Sequence, residues 1–187
     1  MLVGDENPMA GSFYFFTVMT QEYVLLMQKM YMGATIKDSL EDFGIVCTEM
    51  PFAPFTETKK IPTRDWPEED GEDVYVPSRL PRNAYDMEIG LCYKGGSKSA
   101  YDGIKKFIDY LTGEDGETPV LKIYSPFTGI GRKKVYLKEY DDDDFFFNEE
   151  EDVVLFSMTF RVTDPKTDIK PVYGSGEQEN DIVDLTE

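Results

Sequence analysis

Histidine is absent from this chain, and cysteine and tryptophan nearly so: its 187 residues include no His, two Cys and one Trp. Without imidazole the chain lacks the commonest general base, metal ligand and physiological-pH switch. Cys47 and Cys92 are too far apart for a CxxC redox pair or a clustered zinc site, so two buried thiols are expected. Positive charge is also scarce. Nineteen basic residues face 37 acidic ones, a formal −18 at pH 7, and a chain so short of cations cannot displace the counterions of a nucleic acid. Specific DNA or RNA binding is therefore disfavoured. Nor is there a long uninterrupted apolar run. Residues 13–32, FYFFTVMTQEYVLLMQKMYM, come nearest, yet Gln21, Glu22, Gln28 and Lys29 break the segment, each of them costly in hydrocarbon. It also lacks the basic flank and small-residue cleavage site of a secretion signal. No membrane association, and synthesis in the cytoplasm, are the expectation.

What the chain does have is apolar and aromatic mass. Hydrophobic residues make up 41%, with 13 Phe and 12 Tyr, too much for a disordered chain and enough for one domain with a core. Residues 1–12, MLVGDENPMAGS, read as an N-terminal arm, residues 13–170 as one β-rich domain, and residues 171–187 as a flexible acidic C-terminal tail. Within the domain, Val24, Leu26, Gln28, Met30 and Met32 would share one strand face, and FGIVCTE (43–49) is a short strand. The next stretch, 50–77, carries five prolines; each removes an amide donor and fixes φ, which makes it a long excursion rather than central sheet.

Alternation resumes at AYDMEIGLCYKGG, where Tyr85, Met87, Ile89, Leu91 and Tyr93 fall on one face. SAYDGIKKFIDYLTG is the one clear helix. Tyr101, Ile104, Phe107, Ile108 and Leu111 form its apolar stripe, Ser99 and Asp102 approximate a capping box, and Gly113 suits the C-terminal cap. PVLKIYS, RKKVYLKEY and DVVLFSMTFRVT follow as strands, the last with Val154, Phe156, Met158, Phe160 and Val162 on one face. The sum is a mainly β (α+β) domain, a barrel or sandwich with one flanking helix.

Between the last two strands lies DDDDFFFNEEED. Asp141, Asp142, Asp143, Asp144, Glu149, Glu150, Glu151 and Asp152 surround Phe145, Phe146 and Phe147. Like charges at this density repel one another and favour a projecting loop, whereas the three rings need a surface on their own domain or on a neighbouring chain. Calcium is conceivable there, but the run lacks the alternating D-x-[DN]-x-[DN]-G spacing of an EF-hand. GIGRKK (129–134) lacks the P-loop pattern and reads as a β-turn before an exposed basic strand. Asp86 and Glu88 could be paired as hydrolase acids, although no pocket signature accompanies them. No catalytic, cofactor or metal residue is assigned.

Taken in order, KDSLEDFGIV, the proline-rich loop to DWPEEDGEDVYVP, RNAYDMEIGLCYKG, AYDGIKKFIDYL, LKIYS, RKKVYLKEY and FSMTFRVTDP resemble the N-terminal domain of distal tail proteins of long-tailed bacteriophages. The resemblance spans roughly residues 36 to 165. It implies a split β-barrel flanked by a helix, copies closing into a ring (a hexamer), attachment to the tail tube and tail tip proteins, and a place in the virion tail through which DNA passes without being gripped. Many members add a carbohydrate-binding second domain. The residues after Pro165 are too few for one, so host-sugar binding is not carried over. Carboxylates suit a DNA passage, since cations there would engage phosphates; the acidic loop is expected to face the channel or a neighbour, and the Phe triplet to serve as interface. The alternatives are a tail tube or tail-end connector ring and, from a different class, a carbohydrate-binding β-sandwich using Trp66 and the tyrosines.

Overall fold

The computed structural model describes residues 23–51, 56–140, 145–148, 150, 152–174 and 180–185. The arm over 1–12 lies outside the described residues, as do Asp141, Asp142, Asp143, Asp144, Glu149 and Glu151. In chain order the elements are β1 (Leu26–Lys29), β2 (Ile36–Asp38), α1 (Ser39–Phe43), β3 (Ile45–Glu49), β4 (Thr63–Asp65), β5 (Glu72–Val74), β6 (Tyr85–Tyr93) and α2 (Ser97–Thr112). They continue with β7 (Leu121–Ser125), β8 (Ile130–Glu139), β9 (Phe146–Asn148), β10 (Val153–Val162), β11 (Ile169–Val172) and β12 (Asp181–Asp184). The architecture is mainly β with a flanking helix, as expected.

One antiparallel sheet, ordered β2-β1-β7-β8-β10-β6-β3, dominates, and β9 adds to β10 where β8 has turned away. β2 and β3 stand at opposite ends of that order, yet only α1 and Gly44 join them. A five-residue helix is about 7.5 Å long, so the sheet has to curl until its ends approach. It forms a half-barrel, and at the seam the Cys47 amide donates to the Tyr23 carbonyl (2.7 Å) just ahead of β1. The helix that enforces the curl starts because the Asp38 carboxylate accepts from the Leu40 and Glu41 amides (2.7 and 3.1 Å), and it stops at Gly44, φ 71°.

Alternation in β6 and β10 delivers Met87, Ile89 and Leu91, and Phe156, Met158, Phe160 and Val162, to one core. Ile104, Phe107 and Leu111 of α2 cover that core, with Phe107 edge-on to Phe43 at 5.2 Å. Ile108 packs at its margin. Tyr101 does not belong to the stripe: it is 77% exposed, and Ala100 and Tyr110 are buried in its stead. The helix begins two residues before Ser99, so the expected capping box cannot form, and Ser99 Oγ donates back to the Gly95 carbonyl (2.7 Å). Gly113, φ 82°, does end the helix.

Three further expectations are corrected by packing on the sheet's second face. Residues 171–187 were expected to be a flexible tail, but β11 and β12 form a hairpin whose Ile169 and Ile182 are buried with Val24 and Leu26. β1 is thus covered on both sides, Leu25 and Met27 facing the main core. Gln28 follows Val24 and Leu26 onto the second face, its Oε1 accepting from the Ile182 amide (3.2 Å), but the strand ends at Lys29 and Met32 is fully exposed. Nor is the strand after Gly129 an exposed basic one. Arg132 is buried and paired with Asp168 (2.5 Å), and Lys133 pairs with Asp184. Both cations hold the C-terminal segment down.

Candidate functional site

The proline-rich excursion leaves the barrel after β3 as an arm. Its root is a short ladder: Lys59 N–H donates to Pro81 O (2.7 Å), Asn83 N–H donates to Glu57 O (2.9 Å), and Thr58 bridges Arg82. Its tip is the β4–β5 hairpin, all six residues of which are exposed. Trp66 is organised by its neighbours, with the Arg64 guanidinium 3.6 Å from the ring centroid and the indole N–H donating to Asp73 Oδ2 (3.0 Å). One face of the indole is therefore occupied. Beyond the tip, Val74, Tyr75, Val76 and Leu80 are exposed, Tyr75 at 81% and Val76 at 61%. Consecutive apolar side chains left in water are a marker of a surface that meets a partner.

The β8–β10 connection divides the three phenylalanines. Phe145 stacks on Phe156 (centroids 5.1 Å apart, 11° between planes), meets Tyr140 edge-on, and lies at the rim of the core. It belongs to its own domain. Phe146 and Phe147, opposite Leu155 and Val154 across the β9–β10 pairing, are exposed at 64% and 43%. Of the described carboxylates, Glu150 sits exposed in a turn closed by Asn148 Oδ1 accepting from the Glu150 amide (3.1 Å). Asp152, at φ 52°, places its carboxylate beside Gly96, the N-cap of α2. This helix has no acidic residue in its first turn and no side-chain cap hydrogen bond from Gly96, so Asp152 supplies from across the chain the negative charge that a helix N-terminus favours.

A cleft of about 480 Å³ opens between α2 and the β1–β2 end of the barrel. Its lysines are all engaged. Lys29, only 2% exposed, pairs with Asp115 (2.5 Å) and Glu117 (3.4 Å), and its ammonium lies 4.6 Å from the Tyr110 ring centroid. Lys37 pairs with Asp42 and Lys105 with Asp109, while Lys106 donates to the Asp42 carbonyl. These contacts close the cleft electrostatically and fasten β1 to the loop after α2. Cys47 and Cys92 are free thiols, both buried, and burial pushes the Cys47 thiol up to about 11, far from a reactive thiolate at neutral pH.

Asp86 and Glu88 do not act as a pair. Asp86 is bound by Arg161 (2.8 Å) and Lys138 (3.0 Å), which hold its carboxyl below the ordinary carboxylate range, the Arg161 hydrogen bond contributing most. Among the described residues no group of three or more His, Cys, Asp or Glu side chains is placed to hold a metal ion, and no helix is long and apolar enough to cross a membrane. What the described residues offer is surface: the arm, the exposed β9 aromatics, and grooves beside the sheet. Sequence reasoning missed α1 and with it the seam, although Asp38-x-x-Glu41 followed by Gly44 carries the start and stop signals of a short helix.

No family model matches the sequence, and no curated protein matches it. Among solved structures the fold is similar to that of the SPP1 Dit (gp 19.1) protein, whose structure is presented as a paradigm of the hub adsorption apparatus in phages infecting Gram-positive bacteria. The two are 18% identical with a TM-score of 0.47, over 82% of this chain and 60% of that one.

Proposed function

We propose that this chain is a structural, non-catalytic component of a bacteriophage tail that works by associating with copies of itself into a ring at the end of the tail tube. The observation that carries the self-association is the arm, which leaves Val74, Tyr75, Val76 and Leu80 exposed together, the mark of a surface that meets a partner. Phe146 and Phe147 offer a second such strip. The order of the strand, excursion and helix segments along the sequence supports the tail assignment. The formal −18 per copy supports a passage that DNA crosses without adhering, because phosphate is drawn to cations and this chain has few to spare. On this reading the partners are identical copies, six to a ring, together with tail tube and tail tip proteins. The acidic connection between β8 and β10 faces the channel or a neighbour.

Light scattering across a concentration series, followed by negative-stain imaging, tests the reading. A discrete closed ring of defined mass is the expected result. Long filaments would favour a tube protein, and a monomer at every concentration up to about 100 μM, a concentration that detects contacts of only about −5.5 kcal/mol, would overturn it.

A further inference from the structure

Beside the C-terminal hairpin runs a second groove, also about 480 Å³, that the reading above leaves unused. Val24 and Leu26 form its floor, with Ile36 of the edge strand β2 on one side and Tyr173, 65% exposed, on the other. Asp38, Glu41 and Asp42 make its rim acidic. Asp38 is committed to capping α1 and Asp42 to Lys37, but no cation among the described residues pairs with Glu41. The groove thus presents an apolar base and uncompensated negative charge at its mouth.

Elsewhere the chain displays the complementary chemistry. Residues 75–80, YVPSRL, follow β5 without regular secondary structure; Tyr75, Val76 and Leu80 are exposed, and Arg79 is exposed without an ion-pair partner among the described residues. Pro77 and Pro81 restrict the backbone here, so less conformational freedom is lost when this strip is laid against a surface. Its exposure shows that the chain's own groove does not hold it. Copies that each carry −18 repel one another at long range, so an apolar contact that also brings a cation of one copy to acids of the next offsets part of that repulsion. Resting on the self-association proposed above, we infer that the 75–80 strip of one copy docks in the Val24/Leu26/Ile36 groove of a second copy, with Arg79 meeting the acidic rim at Glu41. Because strip and groove are different surfaces, the contact is head-to-tail, the kind that closes into a ring when its rotation permits.

Site-directed cross-linking tests this directly. Val76→Cys and Tyr173→Cys sit at exposed positions, and the native cysteines are buried. A mixture of the two variants treated with a short bis-maleimide should yield a cross-linked pair that neither variant gives alone, and Arg79→Glu should weaken association about tenfold or more, as loss of an interface arginine does. If the protein assembles but V76C links only to V76C or to nothing, the docking inference falls while the ring reading stands. If it never assembles, the ring reading fails and the inference with it.

Discussion

Phe107 and Tyr101 stand on the same helix six residues apart in character as well as in place: one is fully buried edge-on against Phe43, the other is 77% exposed. Phe107→Ala should therefore cost about 3–5 kcal/mol in urea unfolding, the range for large core truncations, whereas Tyr101→Ala should stay within about 0.5 kcal/mol. A near-zero change at Phe107 would contradict the packing of α2 on the sheet. Asp86 makes a different kind of prediction. Arg161, then Lys138, lower its folded-state pKa, so its stabilising share is present above the unfolded value of about 3.9 and disappears as pH falls through the lower folded one. The stability difference between wild type and Asp86→Asn should accordingly shrink on acidification from about pH 4 downward. A difference independent of pH across that range would mean that the Arg161 and Lys138 contacts are not made in solution.

At the level of elements, the strands and α2 were legible because each hides one face, and β6 and β10 show it as plain alternation. β1 was harder to read. All four of its residues are buried: Met27 packs in the main core and Lys29 is buried against Asp115, while Leu26 and Gln28 face the C-terminal hairpin, and burial on both faces erases the period-two signal. The hairpin itself was read as a tail for a related reason. Its sequence is acidic, and the partners that settle it on the barrel, Val24 and Leu26 for Ile169 and Ile182, and Lys122, Arg132 and Lys133 for Asp181, Asp168 and Asp184, are distant in the chain. Held by two isoleucines and peripheral ion pairs, it should open on its own. Ile182→Ala should speed hydrogen exchange of the β12 amides by about tenfold or more, equivalent to about 1.4 kcal/mol, and leave the β6 and β10 amides unchanged; acceleration throughout the protein would show that hairpin and barrel unfold as one unit.

For the molecule as a whole, charge opposes what the exposed apolar strips favour. Copies of formal charge −18 repel across distances that salt shortens, from a Debye length of about 30 Å at 0.01 M to about 8 Å at 0.15 M. Self-association should therefore strengthen over that range by light scattering, and a steady weakening would show that local ion pairs, not apolar contact, hold the copies together. The sequence by itself determined the composition-level facts, namely a folded, strongly acidic, histidine-free chain, and the presence of β3, β6, β7, β8, β10 and the long helix, because period and charge are local properties. Tertiary structure alone decided that α1 draws the sheet's ends together, that Phe145 turns inward while Phe146 and Phe147 stay out, and that Arg132 and Lys133 pin a C-terminal hairpin. Each of those outcomes depends on which distant residues arrive opposite one another, and no local pattern encodes that.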